Sequence, residues 1–129
     1  MKTLGYAVAL ACLTAMASPS ALAAGAKDDA MMKLATQSGC LTCHHIESGS
    51  QGPNGIAPIG PNWQDVATKY KGDKKAVDTL TKTVMTGSNP YSSHWKGKVS
   101  GLAMPPNEVA IKEADARKLV SWILQLNQH

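Results

Sequence analysis

Four stretches of the chain carry apolar residues at helical spacing, and segments rich in glycine and proline separate them. From Ala26 to Ser38, Met31, Leu34, Ala35 and Ser38 recur at helical intervals, and Asp28 and Asp29 fall in the first turn, where carboxylates oppose the helix dipole. Gly39 is placed to stop this helix. A short helix is predicted from Trp63 to Tyr70, opened by Pro61-Asn62 and broken by Gly72. A third runs to Thr86 behind Asp73 as its expected N-cap, with Val77, Leu80 and Val84 as its stripe and Gly87 as its stop. The last spans 112–127, with Leu119, Val120, Trp122, Ile123 and Leu126 on the buried face. No strand pattern and no internal repeat competes with these. The predicted class is all-α, with four to five short helices.

Two long irregular segments remain. Residues 45–60 hold four glycines and two prolines, which forbids a long regular element, and 88–107 is similarly broken. Loops of this length in a compact domain are often functional.

The first residues do not fit the helical scheme. Met1 and Lys2 give a positive start, Leu4–Ala17 is uncharged, and Ala21-Leu22-Ala23 suits small-residue cleavage. That is the layout of a secretory signal peptide, 1–23, leaving a mature domain of 24–129. The apolar run is shorter than the ~20 residues of a spanning helix, so no membrane span is expected after cleavage. Loss of Lys2 lowers the formal net charge from +4 to +3. A modestly basic chain suits acidic protein partners. Its lysines are spread from Lys27 to Lys118 rather than gathered in a dense patch, which argues against nucleic acid.

The chain has no Phe, three Trp and three Tyr. So thin an aromatic supply suggests that a large flat cofactor fills the centre. Cys40-Leu41-Thr42-Cys43-His44 names it: C-x-x-C-H is the signature of covalent haem attachment. Two thiols one helical turn apart reach the two vinyl groups of haem as thioethers, and the adjoining His44 presents its imidazole to the iron. A zinc site would need two further ligands from His45, His94 or His129, and no spaced pair is visible. A dithiol redox site would sit in a βαβ pattern, which is absent. A secreted chain also admits a plain disulfide, but the adjoining histidine and the helical context favour haem.

For the sixth iron position the mature chain offers Met31, Met32, Met85 and Met104. The first two lie just before the motif, and Met85 reads as core. Met104 sits in a distant loop, and Pro105 and Pro106 fix the backbone after it, so a weak thioether ligand can be held in place. Met/His ligation suits electron transfer and raises the reduction potential. His94, giving bis-histidine ligation, and an open sixth site are the rival readings.

With these residues in view, the chain resembles the small bacterial periplasmic class I cytochromes c with a single haem. Four landmarks in order carry the resemblance: Gly39-Cys40-x-x-Cys43-His44, Gly60-Pro61-x-x-x-Asp65-Val66-Ala67, Met104-Pro105-Pro106-Asn107, and Trp122. The resemblance implies the class I fold, with short helices wrapped around one haem c bound through Cys40 and Cys43. It implies that the Pro61 carbonyl meets the His44 ring N–H, and that Trp95 donates its indole N–H to a haem propionate. The amide of Asn107 would lie near the Met104 sulfur, and Trp122 would pack the last helix on the first. The chain departs from the compact members in its longer 45–60 and 88–101 loops, and in Thr83, where some relatives place a basic residue toward the propionates.

The resulting expectation is a periplasmic, monomeric one-electron carrier and not an enzyme. It would dock transiently with a redox donor and acceptor through an exposed haem edge near 56–59 and 102–103. A dedicated haem subunit of a periplasmic oxidoreductase is the alternative, and a haem enzyme or gas sensor with a labile sixth site is a third reading.

Overall fold

In the computed structural model, backbone conformation is described for residues 19–127 and side chains for 24–127. Most of the expected signal peptide, residues 1–18, lies outside the described residues. Four α-helices make up the fold: α1 (Pro19–Gln37), α2 (Trp63–Lys69), α3 (Ala76–Thr86) and α4 (Glu113–Ile123). No strand occurs among the described residues. A single 3₁₀ turn, Cys40–Thr42, follows α1, and another, Pro53–Gly55, lies in the first long loop.

Helix α1 starts earlier than its apolar spacing suggests, at Pro19, a residue type well tolerated in a first turn. It stops at Gly39 as expected. Gly39 adopts φ +73°, a left-handed conformation open to glycine, and Ser38 N–H closes on Leu34 O at 3.0 Å. Asp73 does not cap α3. Its carboxylate accepts from Lys75 N–H at 2.8 Å, closing a turn of its own, and the helix begins three residues after Asp73, at Ala76. Helix α4 ends at Ile123, and the chain continues to 127 in tighter turns that include Leu126 N–H to Ile123 O at 3.1 Å.

The core is small. Ala35, Trp63, Val66, Ile111, Ala116, Leu119, Trp122 and Ile123 form its buried cluster. Trp122 joins α4 to α1: its indole N–H donates to Asp28 Oδ1 at 2.7 Å. That contact matches the packing role expected of it. The Trp122 ring meets Trp63 edge-on at 5.9 Å, tying α2 into the same core.

The long 45–60 loop is closed at its base by backbone pairing. Gly60 N–H reaches Cys43 O at 2.7 Å, Trp63 N–H reaches His45 O at 2.9 Å, and Gln64 N–H reaches Ile46 O at 3.0 Å. The last two bonds satisfy donors in the first turn of α2 that the helix itself leaves without partners. The 88–101 segment is anchored likewise: Ser88 N–H to Met104 O at 2.9 Å, Ser100 N–H to Pro58 O at 2.9 Å and Gly101 N–H to Ile59 O at 3.0 Å. The two irregular segments therefore hold each other in place beside the core.

Candidate haem site

The turn after α1 sets the chemistry of the motif. Cys43 N–H and His44 N–H both bond to Cys40 O, at 3.3 and 3.1 Å, so the two cysteines and the histidine share one tight turn. Both cysteines are partly buried free thiols, not a disulfide. Burial pushes the Cys40 thiol above its ordinary range, and the neighbouring Cys43 adds to the effect.

His44 is held on three sides. Its Nδ1 lies 2.7 Å from Pro61 O; a carbonyl only accepts, so Nδ1 carries the proton and Nε2 keeps its lone pair. The ring stacks on Trp63 at 5.8 Å with 28° between planes. Gly60 passes so close that a Cβ there would stand 2.7 Å from the ring's Cε1. Burial lowers the basicity of His44, partly offset by the Pro61 bond, and so favours the neutral ring that a metal requires.

One cavity gathers most of the expected residues; Cys40 and Asn107 are not among those that line it. Its empty volume is about 990 Å³, mouth included. Cys43, His44, Pro61, Trp95 and Met104 all line it, and the walls are otherwise mainly apolar: Val66, Leu80, Val84, Val120 and Ile123 from the helices, Ile59 and Leu102 from the loops. The Cys43 thiol, a neutral imidazole and a thioether around one apolar cavity, with Cys40 in the same turn as Cys43 and His44, fit a haem. By contrast, no cluster of His, Cys, Asp and Glu among the described residues could hold a bare metal ion.

His94 is not part of this cavity. It is exposed, its Nε2 lies 3.1 Å from Lys98 Nζ, and it lines a separate shallow cleft with Lys69 and Lys98. Asn107 turns its amide onto two backbone carbonyls, Pro105 O at 2.6 Å and Val84 O at 3.3 Å, the behaviour of a turn residue.

Two contributors were missed by the sequence reading. Trp63 stacks on the His44 imidazole; its place two residues after Pro61 in the second landmark was the available signal. Ser88 accepts Met104 N–H on its hydroxyl at 2.8 Å while its own N–H bonds Met104 O. Nothing local in the sequence announces that second arrangement.

A four-helix fold that closes on one apolar cavity, with a C-x-x-C-H turn in its wall, defines a single-haem c-type cytochrome, with haem c attached through Cys40 and Cys43. The cytochrome c family model matches residues 31–127, and the chain belongs to that family. It is 40% identical to cytochrome c-551 of Allochromatium vinosum over 109 residues, 84% of this chain and 92% of the relative. Among solved structures, cytochrome c552 of Nitrosomonas europaea matches with a TM-score of 0.57 and 32% identity, over 74% of this chain and 99% of that one. A class 1 cytochrome of Sideroxydans lithotrophicus matches with a TM-score of 0.50 and 27% identity, over 76% and 94%. The fold is therefore the class I cytochrome c fold expected from the landmarks.

Proposed function

We propose that this cytochrome is a soluble one-electron carrier of the periplasm, and not an enzyme, with His44 and Met104 as the two side chains that would ligate its haem iron. The observation that carries the reading is that His44 and Met104, sixty residues apart, line one apolar cavity beside the Cys43 thiol. Haem supplies the Fe(III)/Fe(II) couple there. The chain's part is to present a neutral imidazole oriented by Pro61, to hold a thioether on a loop stiffened by two prolines, and to keep water from the site with aliphatic walls. An apolar surround and a thioether ligand both favour the ferrous state.

Electron exchange with a donor and an acceptor would take place at the mouth of the cavity. Ile59 and Leu102 line the cavity and are also 45% and 88% exposed, and Ile56 nearby is 54% exposed. A patch of this kind suits brief docking rather than a permanent interface, and the protein would act as a monomer. Secretion would follow from a signal peptide cleaved after Ala23, with residues 24–129 as the mature domain. No helix among the described residues is long and apolar enough to cross a membrane.

The deciding experiment compares Met104→Ala with His94→Ala in protein purified with its haem. Met104→Ala is expected to lose the thioether-to-ferric-iron absorption band, lower the reduction potential and open the ferrous protein to carbon monoxide, while His94→Ala keeps all three properties. Retention of the band in Met104→Ala would overturn the axial assignment. An alkaline pyridine spectrum of the parent protein that shows no covalently held haem would overturn the whole reading.

A further inference from the structure

Beside the haem cavity, between the two irregular segments, lies a second cleft with charged walls. Lys69 of α2 and His94 and Lys98 of the 88–101 loop line it, together with Asn62 and Asp65. The ion pairs among the described residues are Arg117–Asp78 and Lys118–Asp115, so neither cleft lysine has a carboxylate partner. Asp65, the one acidic side chain of the cleft, accepts the Ser48 hydroxyl at 2.5 Å instead. We propose that this cleft binds a free oxyanion that keeps a proton, inorganic phosphate, and that its occupancy tunes the haem through Trp95; the tuning rests on the haem reading above.

The basic groups are held together without an anion to balance them. Lys98 Nζ lies 3.1 Å from His94 Nε2; an ammonium only donates, so Nε2 accepts and Nδ1 carries the ring proton. Partial desolvation, then the charges of Lys98 and of Lys69, lower the basicity of His94. An oxyanion seated among these groups relieves their repulsion and takes charge-assisted bonds from the ammonium groups. Asn62 makes the opposite demand. It is 4% exposed, and its Nδ2 donates to Ser50 O at 3.1 Å, which fixes the amide and leaves Oδ1 as a buried acceptor with no donor. Such an acceptor costs stability until a donor reaches it. Sulfate brings none at neutral pH, whereas hydrogen phosphate brings an O–H and negative charge in one small ion. Trp95 lines both this cleft and the haem cavity, and Lys98 Nζ lies 5.8 Å from its ring centroid. An anion held by Lys98 therefore stands across one aromatic ring from the haem cavity. There it favours the more positive ferric centre, and the ferric protein must in turn bind it more tightly.

The test uses the haem-loaded protein at fixed pH and ionic strength, with chloride exchanged stepwise for phosphate. The His94 ring and Trp95 indole resonances of the ferrous protein are followed by NMR, and the reduction potential is measured in parallel. Phosphate is expected to shift both sets of resonances to saturation and to lower the potential. Lys98→Gln and Lys69→Gln should each weaken binding by about tenfold, while Lys112→Gln, which removes the same charge outside the cleft, leaves it unchanged. Sulfate should bind about tenfold more weakly than phosphate. Shifts that never saturate, sulfate binding as tight as phosphate binding, or equal weakening by Lys112→Gln would overturn the site. Tighter binding of glycerol phosphate would replace the free ion by a phosphate monoester as the ligand. Saturable binding with an unmoved potential would overturn the tuning through Trp95. A colourless protein that still binds phosphate would overturn the haem reading alone.

Discussion

His44 Nδ1 and Pro61 O are 2.7 Å apart, and Gly60, the residue before that proline, makes the approach possible. A Cβ on Gly60 would stand 2.7, 2.9 and 3.1 Å from Cε1, Nδ1 and Nε2 of the ring. Gly60 N–H also bonds Cys43 O at 2.7 Å, so the backbone has little room to withdraw. Gly60→Ala therefore displaces the imidazole or breaks the strap. The expected cost is about 1–3 kcal/mol of stability. Denaturant unfolding should show a lower midpoint, and a redox titration should show a shifted potential. Unchanged values of both would mean that the contact is slack.

Acid should destabilise the protein through the same histidine. Burial depresses the basicity of His44 below the ordinary 6.5. The unfolded chain then takes up the proton first as pH falls, so the neutral ring's contribution is complete above about 6.5 and shrinks as pH drops through the lower folded value. The proposed ligation of iron by His44 would act in the same direction, because it also requires the neutral ring. Denaturation midpoints measured at pH 7.5, 6.5 and 5.5 are expected to decline toward acid, and His94→Gln should leave that trend in place. A flat profile would place His44 in solvent.

How far the sequence could be read depended on whether the cause was local. Gly39 and Gly87 announce helix ends because their own backbones take positive φ, +73° and +84°. Cys40 to His44 announce haem because the spacing is itself the chemistry. The start of α3 was misjudged because Asp73 has two local uses, capping a helix or closing a turn, and propensity does not separate them. The base of the 45–60 loop was not legible at all, because its bonds join residues far apart in sequence and run through backbone atoms common to any residue type. Asn107 sits in the expected landmark, yet its amide is taken by the carbonyls of Val84 and Pro105.

Trp122 should matter more than its area suggests. It is 5% exposed, meets Trp63 edge-on and donates to Asp28 across 94 positions of sequence. Trp122→Phe keeps an aromatic ring but leaves Asp28 without its donor. A loss of about 1–3 kcal/mol is expected, since the bond involves a charged acceptor. Asp28→Asn retains an acceptor oxygen and should lose less. A loss in Trp122→Phe with none in Asp28→Ala would show that the indole's size, not its N–H, holds α4 to α1.

The hold on Met104 comes from the far end of α3. Gly87 ends that helix at a φ where side chains are strained, and a Cβ there would meet Met104 O at 3.0 Å and Pro106 N at 3.1 Å. The next residue, Ser88, grips Met104 twice: its hydroxyl accepts Met104 N–H at 2.8 Å, and its N–H donates to Met104 O at 2.9 Å. Asn107 N–H then returns the chain to Val84 O at 3.0 Å. A thioether is a weak ligand, so under the proposed ligation the occupancy of Met104 would depend on how firmly its backbone is fixed. Ser88→Ala removes one of the two bonds and should cost about 1 kcal/mol. The ligand should then leave at a lower temperature, seen as earlier fading of the thioether-to-ferric-iron band before global unfolding. Gly87→Ala should do more, because it pushes on the Met104 carbonyl directly. If the band in both variants fades only together with the helical circular dichroism signal, the loop is held by its prolines alone and the grip of Ser88 on Met104 is incidental.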